Sequence, residues 1–278
     1  MTVPDLSSAD FTYISRIVHD HIGVAIPAGK EYLVQARLMP IAQREGLDSV
    51  GALLDEIRRG DIRLRDDAID EMATKETFFF RDVRPFDALR TEVLPPLVAD
   101  AMGRPLRIWS AAAATGQEAY SMAILMAEYF AASPRPHILA TDVSRHALAR
   151  VETGTYRQLE VNRGLPAQLL IKYFVQDGRN WTVRDDLRRT VRCEWLNLID
   201  RFPPMHLQDV ILLRNVLTYF DPPTRTAVLG EVARVLQPGG FLLLGATEST
   251  YGLSDEFEPM HFGTTVMYQL RNPAEGTQ

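Results

Sequence analysis

Along the first 75 residues, apolar positions recur every three to four places, the period of a helix laid against a core. Phe11, Ile14, Ile17, Val18 and Ile22 share such a face, with Ser7 and Ser8 placed as caps ahead of it. A second helix is expected over 31–45, ending near Gly46. A third is expected over 49–59, with Val50, Leu53, Leu54 and Ile57 on one side and Gly60 as its stop, and a fourth over 62–73. From about residue 105 the pattern changes. Residues 106–109, 137–141, 209–213 and 241–244 are short, continuous apolar runs, the signature of strands buried on both faces. Helices are expected between them: from Gln117 to about 130, apolar nearly all round, and from Ser144 onward. Another is opened by Asp221-Pro222, with Val228, Leu229, Val232, Val235 and Leu236 on one face, and is stopped by Pro238-Gly239-Gly240.

Strand and helix alternating in this way predict an α/β domain, a mostly parallel sheet with helices on both sides. Ligands of such sheets bind beyond the carboxyl ends of the strands. Between about 155 and 195 the alternation is interrupted. Residues 181–184 and 189–192, separated by Asp185-Asp186, look like a small antiparallel hairpin, an inserted β-subdomain. The expected organisation is a helical domain over 1–75, a junction over 76–90, and an α/β domain over 91–278 carrying the insertion. The junction holds ATKETFFFRD, residues 73–82, where three phenylalanines flanked by charges fit neither helical nor strand periodicity. The expectation is that Phe78, Phe79 and Phe80 pack the domain interface while Thr77 and Arg81, four apart, address one pocket.

Composition narrows the picture. A net charge of −6 argues against nonspecific nucleic-acid binding, which needs a basic footprint. Arg58, Arg59, Arg63 and Arg65 cluster, but Asp61, Asp66 and Asp67 lie among them and favour a solvated face. With Cys193 as the single cysteine, neither a disulfide framework nor a cysteine-based zinc site is expected. The six histidines show no metal-ligand spacing, and no metal is expected. No apolar run reaches membrane-spanning length, and MTVPDLSSADF lacks the basic and apolar regions of a secretory leader. A cytoplasmic monomer is the expectation.

Candidate chemistry gathers where strands give way to loops. After the first strand comes Ser110-Ala-Ala-Ala-Ala-Thr115-Gly116-Gln117-Glu118, with one glycine and alanines where a dinucleotide loop would have more. The usual phosphate cradle is missing, so a ligand without phosphate fits better; S-adenosylmethionine is one. Glu118 either meets its ammonium group or is an ordinary first-turn acid favoured by the helix dipole. Asp142, ending the second strand, stands where ribose hydroxyls are bound, though a helix cap is the plainer alternative. Asn197 either reads adenine or satisfies a turn. Arg214 and Asn215, ending a buried strand, are costly unless bonded to something; Tyr219, four residues on, would share a helical face with Asn215.

Together these segments resemble the CheR family of chemotaxis receptor methyltransferases. The motifs are ATKETFFFRD, RIWSAAAATGQEAYSMAI, ILATDVS, EWLNLID, DVILLRNVLTYFD and LQPGGFLLLGATES, in family order. The resemblance implies a Rossmann-like class I methyltransferase sheet with a helical N-terminal domain and an inserted β-subdomain. It implies methyl transfer from S-adenosylmethionine to glutamate side chains of chemoreceptor cytoplasmic helices, leaving S-adenosylhomocysteine. It assigns Lys75, Thr77, Arg81, Glu118, Asp142, the Asn197-Leu198 pair and the Asn215-Val216 pair to the cofactor, and Arg81 and Tyr219 to the reacting centre. It also implies that the inserted subdomain docks a peptide from the receptor C-terminus in some members. Two departures stand out: Lys75 where the family has Asn, and Ala113-Ala-Thr-Gly-Gln-Glu-Ala-Tyr120 in place of C-S-T-G-E-E-P-Y. Lysine offers no acceptor, as asparagine does. Two other functions compete with this one: a noncatalytic relative that binds a partner, and a methyltransferase for small carboxylates.

Overall fold

The computed structural model describes residues 6–271. The first five residues, part of the stretch read for a leader, and residues 272–278 lie outside the described residues. Contacts divide the chain into two compact units, one of residues 1–74 with 219–224, the other of 75–218 with 225–278.

The first unit holds α1 (Ser8–Ile22), α2 (Glu31–Arg44), α3 (Val50–Arg58) and α4 (Ile62–Met72). Their starts are written locally: the side chains of Ser7, Ser49 and Asp61 accept from the backbone N–H groups of Asp10, Ala52 and Leu64. Ile14, Val18, Val34, Leu38, Leu53 and Leu54 are fully buried, so the helical period does mark the core. Each clustered arginine meets a carboxylate: Arg58 with Asp10 and Asp55, Arg59 with Glu56, Arg63 with Glu45, Arg65 with Asp66. Segment 219–224 joins this unit, where His19 Nε2 lies 3.0 Å from Asp221 Oδ2.

The second unit begins with helices the hydrophobic pattern had not revealed. They are α5 (Arg84–Ala88) and α6 (Leu94–Asp100), joined by a π turn over Leu89–Val93. Pro85 and Pro95 sit in first turns, where a missing N–H costs nothing, and Phe86, Leu89, Val93 and Leu94 form the buried stripe. The remaining elements are β1 (Arg107–Ala111), α7 (Gln117–Tyr129), β2 (His137–Asp142), α8 (Arg145–Thr153), β3 (Thr155–Arg157), α9 (Gln158–Val161), α10 (Ala167–Tyr173), β4 (Phe174–Asp177) and β5 (Asn180–Val183). These are followed by α11 (Asp185–Arg188), β6 (Val191–Trp195), β7 (Gln208–Leu213), a 3-10 turn (Leu217–Tyr219), α12 (Pro222–Val235), β8 (Leu236–Leu244), β9 (Phe257–Phe262) and β10 (Thr265–Leu270).

The main sheet runs β6-β2-β1-β7-β8-β10-β9. Its first five strands are parallel and β10 is antiparallel to both neighbours. A second, antiparallel sheet has the order β3-β5-β4. Here the expected hairpin is corrected. Trp181 pairs with Tyr156 and Gln176, whereas Arg192 pairs with Leu139 in the main sheet. Both segments alternate similarly, and it is the parallel pairing of Val191–Trp195 with β2 that places β6 in the large sheet, with Val191 and Cys193 packed against the core.

The phenylalanine run is corrected too. Phe79 is fully buried within the second unit, edge-on to Tyr156 at 5.1 Å and Phe174 at 5.6 Å, both on the inserted sheet. Phe80 meets Phe86 at 5.3 Å. Gly164 allows this approach: at φ +88 a Cβ there would lie 1.9 Å from the Phe79 carbonyl oxygen.

Two outcomes follow. Gly164→Ala combines a left-handed backbone with a backbone clash and is expected to lower stability by about 3 kcal/mol; denaturant melts showing under about 1 kcal/mol would contradict the packing. In the His19–Asp221 pair, the Asp221 hydrogen bond raises the His19 pKa, and the Thr224 hydroxyl and then His19 lower that of Asp221 to about 2. The His19 contribution is complete below its unfolded value of about 6.5 and lost as pH rises through its raised folded value. That of Asp221 is complete above about 4 and lost as pH falls toward 2. His19→Gln should therefore melt below the parent at pH 6, with the gap closed by pH 9; an equal gap at both would refute the pair's role.

Candidate functional site

The carboxyl end of β1 turns sharply. Ala112, Ala114 and Gly116 all take left-handed backbone, φ 58°, 49° and 94°, before α7 begins. Alanines thus adopt conformations that glycines would adopt without strain, and neighbours hold them there. The Asp142 carboxylate accepts from the N–H of Ala114 (2.8 Å) and from that of Ser144 (2.8 Å). Tyr156 donates its hydroxyl to the Thr115 carbonyl at 2.8 Å, and complete burial pushes its phenol well above the ordinary range, so it remains a donor. Asp142 therefore shapes two loops at once.

Glu118 is 8% exposed. Its Oε1 accepts from Ser110 Oγ at 2.8 Å and its Oε2 from Arg214 at 3.1 Å. The Arg214 side chain, 1% exposed, also reaches Asp82 (2.8 Å) and donates to the Arg81 carbonyl (3.0 Å). The sequence argument that Arg214 must bond to something is answered by two carboxylates and a carbonyl. The plainer reading of Glu118 as only a first-turn acid is too small: from the first turn of α7 it is half of a buried ion pair with Arg214 after β7, held to β1 by Ser110 and to the loop 80–83 by Arg214.

Asn215 follows with φ 59°, so no helical turn links it to Tyr219 and the four-residue spacing carries no shared face. Tyr219 instead sits in the 3-10 turn, half-buried, and its carbonyl accepts from the Ala25 N–H at 2.9 Å. The Asn215 side-chain oxygen is buried and has no hydrogen-bond partner. Such an orphan acceptor is costly and marks a place where a donor from a ligand would be welcome. Asn197 and Leu198 are both 8% exposed, with the Ile199 N–H 3.5 Å from Asn197 Oδ1. Val216, Thr77 and Lys75 are half-buried. Arg81 lies over the Phe78 ring at 5.5 Å and donates to the Glu76 carbonyl at 3.2 Å. Residues 75–78 are irregular and 79–82 form turns, so Thr77 and Arg81 are not one helical turn apart.

Sequence reasoning missed Glu248. Its Oε2 accepts from the N–H groups of Asn215 (2.7 Å) and Gly245 (2.8 Å), and its Oε1 from that of Thr218 (3.1 Å). One carboxylate thereby holds the loop after β7 against the loop after β8. Gly245 is required for the fit, since a Cβ there would lie 2.6 Å from Asn215 Nδ2 and 2.7 Å from Glu248 Oε2. The signal was available: an acid shortly after a buried strand, the same logic that singled out Asp142.

The donor set suits S-adenosylmethionine. It combines an orphan buried acceptor, buried acids after β1 and β2, and a loop without a phosphate cradle. Glu248→Gln keeps the shape and removes the charge shared by three N–H groups. It should weaken S-adenosylhomocysteine binding by about 2 kcal/mol, roughly thirtyfold, in calorimetric titration. Unchanged affinity would show that the loop after β7 keeps its shape without this carboxylate.

Residues 75–266 match the profile of the CheR methyltransferase, SAM binding domain, and residues 9–73 that of the CheR methyltransferase, all-alpha domain. The chain is 38% identical to the chemotaxis protein methyltransferase of Vibrio parahaemolyticus over 278 residues, covering 98% of this chain and 100% of the relative. It is 33% identical to chemotaxis protein methyltransferase 1 of Pseudomonas aeruginosa over 271 residues, covering 95% and 99%. Matched along nearly its whole length, and carrying buried acids and a phosphate-free loop at the carboxyl edge of its sheet, the chain belongs to the CheR family of S-adenosylmethionine-dependent methyltransferases.

Proposed function

We propose that the protein methylates glutamate side chains on the cytoplasmic helices of chemoreceptors, forming glutamyl methyl esters. The observation that carries this reading is the edge built on buried Glu118, Asp142 and Arg214 and on Asn215, whose side-chain oxygen is buried; no histidine stands among these four as a general base. A glutamate acceptor needs none, being ionised at neutral pH. When bound, S-adenosylmethionine supplies an electrophilic methyl group on a sulfonium, whose loss leaves a neutral thioether.

The chain's own residues have three tasks. Glu118 offers carboxylate oxygen to the cofactor's ammonium end, and Asp142 offers its carboxylate to ribose hydroxyls. Asn197-Leu198 and Asn215-Val216 flank the adenine and the transferring end, with Lys75 and Thr77 contributing from the junction. Arg81 and Tyr219 orient the acceptor carboxylate, and no proton is moved. Rate enhancement then comes from orientation and exclusion of water. The inserted sheet supports a macromolecular acceptor: β4 is one of its two edge strands, Val175 is exposed on it, and a receptor C-terminal peptide can add as a further strand.

The test is incubation with methyl-labelled S-adenosylmethionine and receptor cytoplasmic fragments. Base-labile label on the fragment is expected; label confined to small carboxylic acids would defeat the proposal. Tyr219→Phe should lower the transfer rate about a hundredfold while S-adenosylhomocysteine affinity is retained. Equal loss of both would place Tyr219 in cofactor binding instead.

A further inference from the structure

The sheet has a second concave region at its opposite edge. The candidate cofactor residues follow the carboxyl ends of β1, β2 and β7. The amino ends of the same strands, opened by Arg107, His137 and Gln208, border a cavity of about 640 Å³. Cavities of a few hundred to a thousand Å³ are sized for small molecules. Five residues of β1 separate the two edges, roughly 13 Å at the usual rise of a strand.

The charge of this cavity opposes that of the chain. Arg107, Arg135, Arg189 and Arg192 line it, from β1, the turn before β2, the turn after α11, and β6. His137 and His206 add two further nitrogen-bearing rings. The one acid in the lining, Glu194, is bridged to Arg192 at 2.8 Å. The nearby Asp209 accepts from the Arg107 backbone N–H, but its charge is matched by Arg104 at 2.6 Å. Arg107, Arg135 and Arg189 make no ion pair with a carboxylate among the described residues. In the helical unit the clustered arginines each have a carboxylate; here, in a chain of net charge −6, three of the four have none among the described residues.

Register explains the convergence. Arg107 is paired with His137, and Leu139 with both Trp109 and Arg192, so these residues share one face of the sheet. After β6 the chain passes through residues 196–207 without a helix, leaving that face recessed. Leu139, Pro136 and Met205 give the recess apolar surface between the guanidinium groups. Guanidinium forks match phosphate oxygens bidentately, and an apolar floor accepts a flat ring.

We propose that this recess binds a nucleoside phosphate, with the arginines on the phosphates and the nucleoside over Leu139 and Met205. It is a site separate from the cofactor edge and does not depend on which carboxylate is methylated.

The test is calorimetric titration of the full chain, saturated with S-adenosylhomocysteine, using ATP, inorganic pyrophosphate and adenosine as probes. Saturable ATP binding at 150 mM salt is expected, with adenosine alone much weaker. The double variant Arg189→Ala/Arg192→Ala lies on exposed positions and should weaken ATP at least tenfold. Its S-adenosylhomocysteine affinity and melting temperature should stay at parental values. The proposal is overturned by any of four results: displacement of ATP by S-adenosylhomocysteine, adenosine binding as well as ATP, parental ATP affinity in the double variant, or heat that vanishes at 150 mM salt as diffuse screening would make it.

Discussion

A guanidinium buried at the end of a central strand governs this catalytic unit. Removing Arg214 from water costs several kcal/mol, and that cost is offset only if its partners are charged and well placed. The partners come from far along the chain: Glu118 is 96 residues away and Asp82 is 132. Meeting both requires β1 beside β7 and brings the loop 80–83 against their carboxyl ends. That loop has left-handed backbone at Phe80, Asp82 and Val83, a local strain sustained by the ion pairs and by the buried phenylalanine before it. Removing one member would strand the others, which makes the cluster cooperative.

Glu248 applies the same device to the adjacent loops. An anion accepting three backbone N–H groups holds Asn215 in its left-handed conformation and leaves that residue's side-chain oxygen buried without a partner. The two clusters divide the work. Arg214 ties the junction segment to β1 and β7, and Glu248 ties β7 to β8. Methyl transfer to the proposed carboxylate acceptor depends on positioning, which such rigidity serves.

The aromatic run has a different function from the one its sequence suggested. Phe79 fixes the inserted sheet to the catalytic unit through Tyr156 and Phe174, and Tyr156 in turn holds the Thr115 loop. The edge strand proposed to receive a receptor peptide is thus one aromatic layer from the loop after β1. Gly164 is the steric condition for that layer.

How much of this was legible in the sequence depended on the range of the interaction. Helices α1 to α4, the Ser7 cap and four of the five parallel strands follow from period and capping within a turn or two, and local chemistry decides them. Glu118 and Asp142 were visible because an acid at a strand's end is a local signal. The helices over 84–100 were hidden by prolines that first turns accommodate. The partners of 181–184 and 189–192 were beyond reach, since both segments alternate alike and pairing is settled only by which face is buried. The sequence by itself determined the N-terminal helices, four of the parallel strands, the family and the acids near strand ends. Tertiary structure alone decided what Arg214 and Glu248 hold, where Phe79 packs and how four arginines come to share one recess, because each rests on contacts between segments that nothing local brings together.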